Sequence, residues 1–78
     1  MVLDKKKLNQ ILSDQSLYEK DGVKINENKI DSFELISLLS QIEEANGIEI
    51  DIEKLNISRD MQSLDTLYGF ISENSKIL

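Results

Sequence analysis

The sequence predicts an all-α domain, a four-helix bundle built from three longer helices and one short third helix. Apolar residues recur at helical spacing in three separate stretches, and only one short segment alternates with the period of a strand. The 78 residues amount to about half of a typical domain, so residues 1–78 are read as a single domain with a thin core. Apolar residues make up 40% and charged residues 31%, a folding composition well above the disordered range.

Leu8, Ile11 and Leu12, with Leu3 one turn earlier, are spaced for the apolar face of a first helix running from about residue 3 to Ser13 or a little beyond. A long polar connection follows, from about Asp14 to Ile30. It carries Gly22 and the run Asn26-Glu27-Asn28, and Leu17, Tyr18, Val23 and Ile25 are expected to pin it to the core. In the second helix Leu35, Leu38, Leu39, Ile42 and Ala45 fall on one stripe, and Gly47 stands where a helix ends. Its start is marked by Asp31, whose carboxylate can accept a first-turn N–H, and by Glu34, which can reach back to the Asp31 N–H as in a capping box. Ser32 is then the first helical residue, and both carboxylates sit at the positive end of the helix dipole.

The run Ile48-Glu49-Ile50-Asp51-Ile52 has a period of two, yet no other segment alternates in this way. A lone strand leaves its backbone groups unpaired, so the run is read as an extended loop leading to a short helix around Glu53 to Asn56, anchored by Ile52, Leu55 and Ile57. The last helix follows Ser63, a suitable N-cap, with Leu64, Leu67, Tyr68 and Ile71 at helical spacing. Gly69 inside it costs about 1 kcal/mol against alanine unless close packing uses it.

Cysteine and histidine are both absent, which removes disulfides, thiolate nucleophiles, histidine-assisted triads and the usual zinc ligands together. Carboxylate pairs remain, but so small a domain is not expected to enclose a cleft that shifts their pKa values. No catalytic or metal-binding residue is assigned, and the chain is not expected to be an enzyme. A net charge of −6 argues against nucleic acid as a partner. The basic run Lys5-Lys6-Lys7 is read as a solvated helix face, too short for a phosphate-binding stripe. No run approaches the ~20 apolar residues of a membrane span, and the start of the chain shows no apolar stretch or cleavage site. A soluble, cytoplasmic monomer is the expectation.

The charge is unevenly placed. Residues 1–29 sum to +1 and residues 54–78 to zero, whereas residues 30–53 hold seven acids and no base, so the middle third carries −7. Like charges left unneutralised oppose compaction, and such a stretch is more easily explained as a surface read by basic partners. On the second helix, at about 100° per residue, Phe33 points away from the apolar stripe, with Ser37, Ser40 and Glu44 beside it and Ile36 on the flank. Single exposed apolar residues are ordinary, but in acidic surroundings Phe33 and Ile36 have the make-up of a small docking surface with a charged rim. Ser32 lies at its edge. A serine at a helix start is most often a local hydrogen-bonding residue; here the exposed N–H groups and the dipole also suit a phosphodiester. No general base stands nearby in sequence, so any modification needs another enzyme.

The stretch Ile30-Asp31-Ser32-Phe33-Glu34-Leu35-Ile36-Ser37-Leu38-Leu39, continuing through Gln41-Ile42-Glu43-Glu44 to Gly47-Ile48-Glu49-Ile50, resembles the central region of acyl carrier proteins and the related aminoacyl and peptidyl carriers. The order of elements and the length extend the resemblance over the whole chain. It implies that a phosphopantetheinyl transferase, using coenzyme A and magnesium, attaches 4′-phosphopantetheine to Ser32. The arm would then hold an acyl or aminoacyl cargo as a thioester. It further implies that Asp31 and Glu34 orient the transferase, that Phe33 and Ile36 are apolar docking contacts, and that Glu43 and Glu44 meet basic residues of loading and acyl-transferring enzymes. The sequence departs from familiar fatty-acid carriers at Lys29, where they usually have glycine, at Ser37 and Ser40, where they often have an acid and a large apolar residue, and at Asp51, where they usually have proline. These departures direct the expectation toward a specialised acyl, aminoacyl or peptidyl pathway. The alternative is an unmodified helical interaction module using the same acidic, Phe33-centred face.

Overall fold

The computed structural model describes residues 3–20 and 24–78, which form four α-helices, two 3-10 turns and a two-stranded antiparallel ribbon. The chain is thus mostly helical rather than all-α. Helix α1 spans Lys5–Asp14, and its start is set by Asp4, whose carboxylate accepts the Lys6 N–H at 2.9 Å. Leu8 and Leu12 are completely buried, and Ile11 packs at the edge of the core. The basic run finds specific partners: Lys5 pairs with Asp65, and the Lys7 ammonium donates to the Ala45 carbonyl at 3.3 Å. A cation at that point complements the negative end of the second helix.

The connection after α1 is pinned as expected by Leu17 and Ile25, both buried, and by half-buried Tyr18. Val23 lies outside the described residues. Two isolated bridges, Tyr18 to Ile25 and Lys24 to Ser63, tie the connection to itself and to the start of the last helix. A 3-10 turn at Glu27–Lys29 delivers the chain to Asp31.

Helix α2 spans Ser32–Asn46 and stops where Gly47 adopts a left-handed conformation, φ 63°. Leu38, Leu39 and Ile42 are fully buried and Leu35 partly so. Ala45, expected on the buried stripe, is exposed, and Asn46 is buried instead. Asn46 continues the line of Leu39 and Ile42, whereas Ala45 has rotated off it. Burial of its amide is compensated: the oxygen accepts the Asp4 N–H at 3.1 Å, and the nitrogen donates to the Ile42 carbonyl at 2.9 Å.

The alternating run after Gly47 is a strand, not the expected loop. Strand β1, Ile48–Ile50, pairs antiparallel with β2, Ser75–Ile77, in the register Ile48 to Ile77, Glu49 to Lys76 and Ile50 to Ser75. Ile48 and Ile50 face the core and Glu49 faces out. A 3-10 turn at Ile52–Lys54 and helix α3, Ile57–Asp60, replace the single short helix expected at Glu53 to Asn56. Of the three expected anchors only Leu55 is partly buried; Ile52 and Ile57 are exposed, and Met61, fully buried, anchors this segment. Helix α4, Leu64–Glu73, opens on a complete capping box between Ser63 and Thr66 and buries Leu67, Phe70 and Ile71, with Leu64 and Tyr68 at the core's edge.

Candidate functional site at the start of the second helix

Three local features place Ser32. Half-buried Ile30 holds the preceding segment against the core, and Asp31 takes an extended conformation that breaks the chain's direction. The Asp31 carboxylate then accepts the Glu34 N–H at 2.8 Å, and its carbonyl accepts the Leu35 N–H at 2.9 Å, so the helix begins at Ser32. The reciprocal bond expected from Glu34 to the Asp31 N–H does not form, unlike the full box of α4. The Glu34 carboxylate remains an exposed charge at the positive end of the dipole. Ser32 and Phe33 occupy the first turn, where backbone N–H groups have no partner within the helix.

Ser32 is exposed, with exposed acids on both sides. Phe33 is 82% exposed and Ile36 is 57% exposed, while Leu35 between them turns inward. Ser37, Ser40 and Glu44 are exposed farther along. The exposed side chains of this stretch are thus a hydroxyl in the first turn, the apolar pair Phe33 and Ile36, and the carboxylates of Asp31, Glu34 and Glu44. Glu43 differs from its neighbour. It is half-buried, and one carboxylate oxygen accepts the Ile50 N–H at 2.8 Å, so it helps seat β1 as well as contributing charge.

No three His, Cys, Asp or Glu side chains among the described residues converge as a metal site. Among the described residues no helix is long and apolar enough to cross a membrane. An exposed hydroxyl at a helix start, within reach of large partners, is chemically suited to receive a group delivered by another protein.

Sequence reasoning missed the far end of this surface. Ile77 and Leu78 lie on or just past β2 and are exposed, and Leu78 comes back beside Ser40, Glu44 and Glu49. Only the pairing of β1 with β2 brings them there. Reading β1 as unpaired hid that neighbourhood. Comparison with protein-family models, with curated proteins and with solved structures finds no match to this chain.

Proposed function

We propose that this chain is a carrier of the acyl-carrier type, with an acyl-carrier-like helical fold, whose Ser32 Oγ receives 4′-phosphopantetheine from coenzyme A through a phosphopantetheinyl transferase. When bound, that arm supplies a thiol that holds an acyl or aminoacyl cargo as a thioester. The observation that carries the reading is the placement of an exposed serine in the first turn of α2, next to the most exposed aromatic of the described chain, Phe33, and directly after the capping Asp31. A phosphodiester there has the unpartnered N–H groups and the dipole of α2 on its side, so its attachment need not disturb the core. Phe33 and Ile36 offer a partner apolar area without leaving a hole in the domain, and Asp31, Glu34 and Glu44 supply a rim for basic residues. The chain itself performs no chemistry in this reading; the docking enzymes select the cargo. The serine-for-acid and serine-for-apolar departures at Ser37 and Ser40 favour a specialised pathway.

The test is the intact mass of the purified protein before and after incubation with coenzyme A, magnesium and a broad-specificity phosphopantetheinyl transferase, with Ser32→Ala in parallel. A gain of one phosphopantetheine that the alanine variant lacks is the expected result. Absence of the gain with several such transferases would sink the proposal and leave an unmodified interaction module.

A further inference from the structure

Of the six asparagines in the chain, only Asn46 is followed by glycine. Glycine has no Cβ, so its amide nitrogen is open to approach by the side chain of the residue before it. In the fold that approach is blocked. The Asn46 side chain is 8% exposed, its oxygen accepts the Asp4 N–H at 3.1 Å and its nitrogen donates to the Ile42 carbonyl at 2.9 Å. The Gly47 N–H donates to the Glu43 carbonyl, and the Gly47 carbonyl accepts the Leu78 N–H at 3.1 Å. Both groups that react in an Asn-Gly pair are therefore held, and the donors from Asp4 and Leu78 come from outside α2. The second of these belongs to the ribbon, whose strands of three residues each are marginal by themselves.

We propose that the Asn46-Gly47 pair is a site of self-modification, silent in the closed fold, that converts when the ribbon and the start of α1 let go of the end of α2. In the open state the Gly47 nitrogen gives its proton to hydroxide and attacks the Asn46 Cγ. The new N–C bond closes a succinimide ring as the Cγ–Nδ2 bond breaks, and Nδ2 leaves as ammonia, taking a proton from water. Water then adds to one of the two ring carbonyls. Opening at the side-chain carbonyl leaves an ordinary aspartate, and opening at the backbone carbonyl leaves isoaspartate, with the main chain routed through the side chain. The net change is amide and water to carboxylate and ammonium.

Reclosure is then opposed. A carboxylate keeps an acceptor for the Asp4 N–H but has no donor for the Ile42 carbonyl, so two acceptors face each other in a buried place. The new charge also falls at the negative end of α2, close in sequence to Glu43 and Glu44. Isoaspartate adds a backbone atom directly before the left-handed cap at Gly47. Conversion is thus a one-way release of α1 and the ribbon from α2, and it stands independently of Ser32.

The experiment follows intact mass and peptide maps of the whole chain during incubation at mildly alkaline pH, folded and in urea, for wild type and Leu78→Pro, with circular dichroism to verify that both fold. Leu78 is 80% exposed, so the proline removes the N–H that holds the Gly47 carbonyl and no core contact. Expected is an amide-to-acid mass gain that maps to Asn46, about tenfold or more faster in urea than in the folded wild type, and about threefold or more faster in folded Leu78→Pro than in folded wild type. In urea the two chains convert at equal rates. The converted protein, separated by anion exchange, and Asn46→Asp are both expected to melt below wild type and to exchange the Asp4, Gly47 and Leu78 amide hydrogens faster. Conversion in urea confined to other asparagines, a folded rate equal to the rate in urea, no conversion of the folded protein, a rate unchanged by Leu78→Pro, or wild-type melting and exchange in the converted protein would each overturn it.

Discussion

The Glu43 carboxylate accepts the Ile50 N–H at 2.8 Å, fastening the last turns of α2 to the first strand of the ribbon. A residue expected to serve partners is thereby also structural. Glu43→Ala leaves the Ile50 donor without its acceptor and is expected to lower stability by about 1–2 kcal/mol in urea unfolding. Glu43→Gln, which keeps an acceptor oxygen, recovers most of that loss. Equal destabilisation by both would show that charge rather than the hydrogen bond holds the junction.

Asp31 caps α2 and, in the carrier reading, would also present charge to the transferase, two roles that substitution can separate. Asp31→Ala removes the acceptor for the Glu34 N–H and is expected to cost about 1 kcal/mol, while Asp31→Asn, an equally good cap, costs little. In the carrier reading both variants lose the charge presented to the transferase. The rate of phosphopantetheine attachment is then expected to fall in both, against a stability loss in only one.

Two glycines make opposite predictions. At Gly69 a Cβ would meet nothing within 4 Å and the backbone is helical, so Gly69→Ala is expected to stabilise the domain by about 1 kcal/mol. Gly47 has equal room but a φ of 63°, where a Cβ is strained against the backbone, and Gly47→Ala is expected to destabilise by about 1–2 kcal/mol. Thermal midpoints of the two variants shifting in the same direction would contradict the argument.

Asp60 is buried and is paired with the Arg59 guanidinium through two contacts, at 2.9 and 3.0 Å, while also accepting the Asn56 N–H. The hydrogen bonds from Arg59, more than the attraction of its charge, hold the Asp60 carboxyl below the usual aspartate range, and burial only partly opposes them. Because the folded value is the lower one, this contribution is complete above the unfolded aspartate value of about 4 and is lost as pH falls through the folded value. The stability gap between wild type and Asp60→Asn is therefore expected to be larger at neutral pH than in acid. A gap that stays constant between neutrality and pH about 3 would remove Asp60 from the acid response.

The three longer helices and the start of α2 were readable from local pattern because their causes are local. Asp31 caps its own helix, Ser63 caps its own helix, and the stripe Leu35, Leu38, Leu39, Ile42 declares its buried face by spacing alone. The ribbon was not readable in that way. Its second strand, Ser75-Lys76-Ile77, has one apolar residue and no alternation to detect, so the partner that completes β1 is defined only by tertiary folding. The same distance in sequence concealed Leu78 from Ser40 and Glu44. Asn46 was hidden for a different reason: a polar residue at a core position betrays itself only once its hydrogen-bond partners, Asp4 and the Ile42 carbonyl, are in place.

Pairing Ile48–Ile50 with Ser75–Ile77 turns the intervening 3-10 turn, α3 and α4 into a closed loop whose ends are held side by side. Closing that loop costs chain entropy, so the ribbon is expected to form after α4 has docked and to open before the domain as a whole. Its amide protons are a gauge of that clasp: their exchange rates report how often the last third of the chain lets go of α2 without the domain as a whole unfolding.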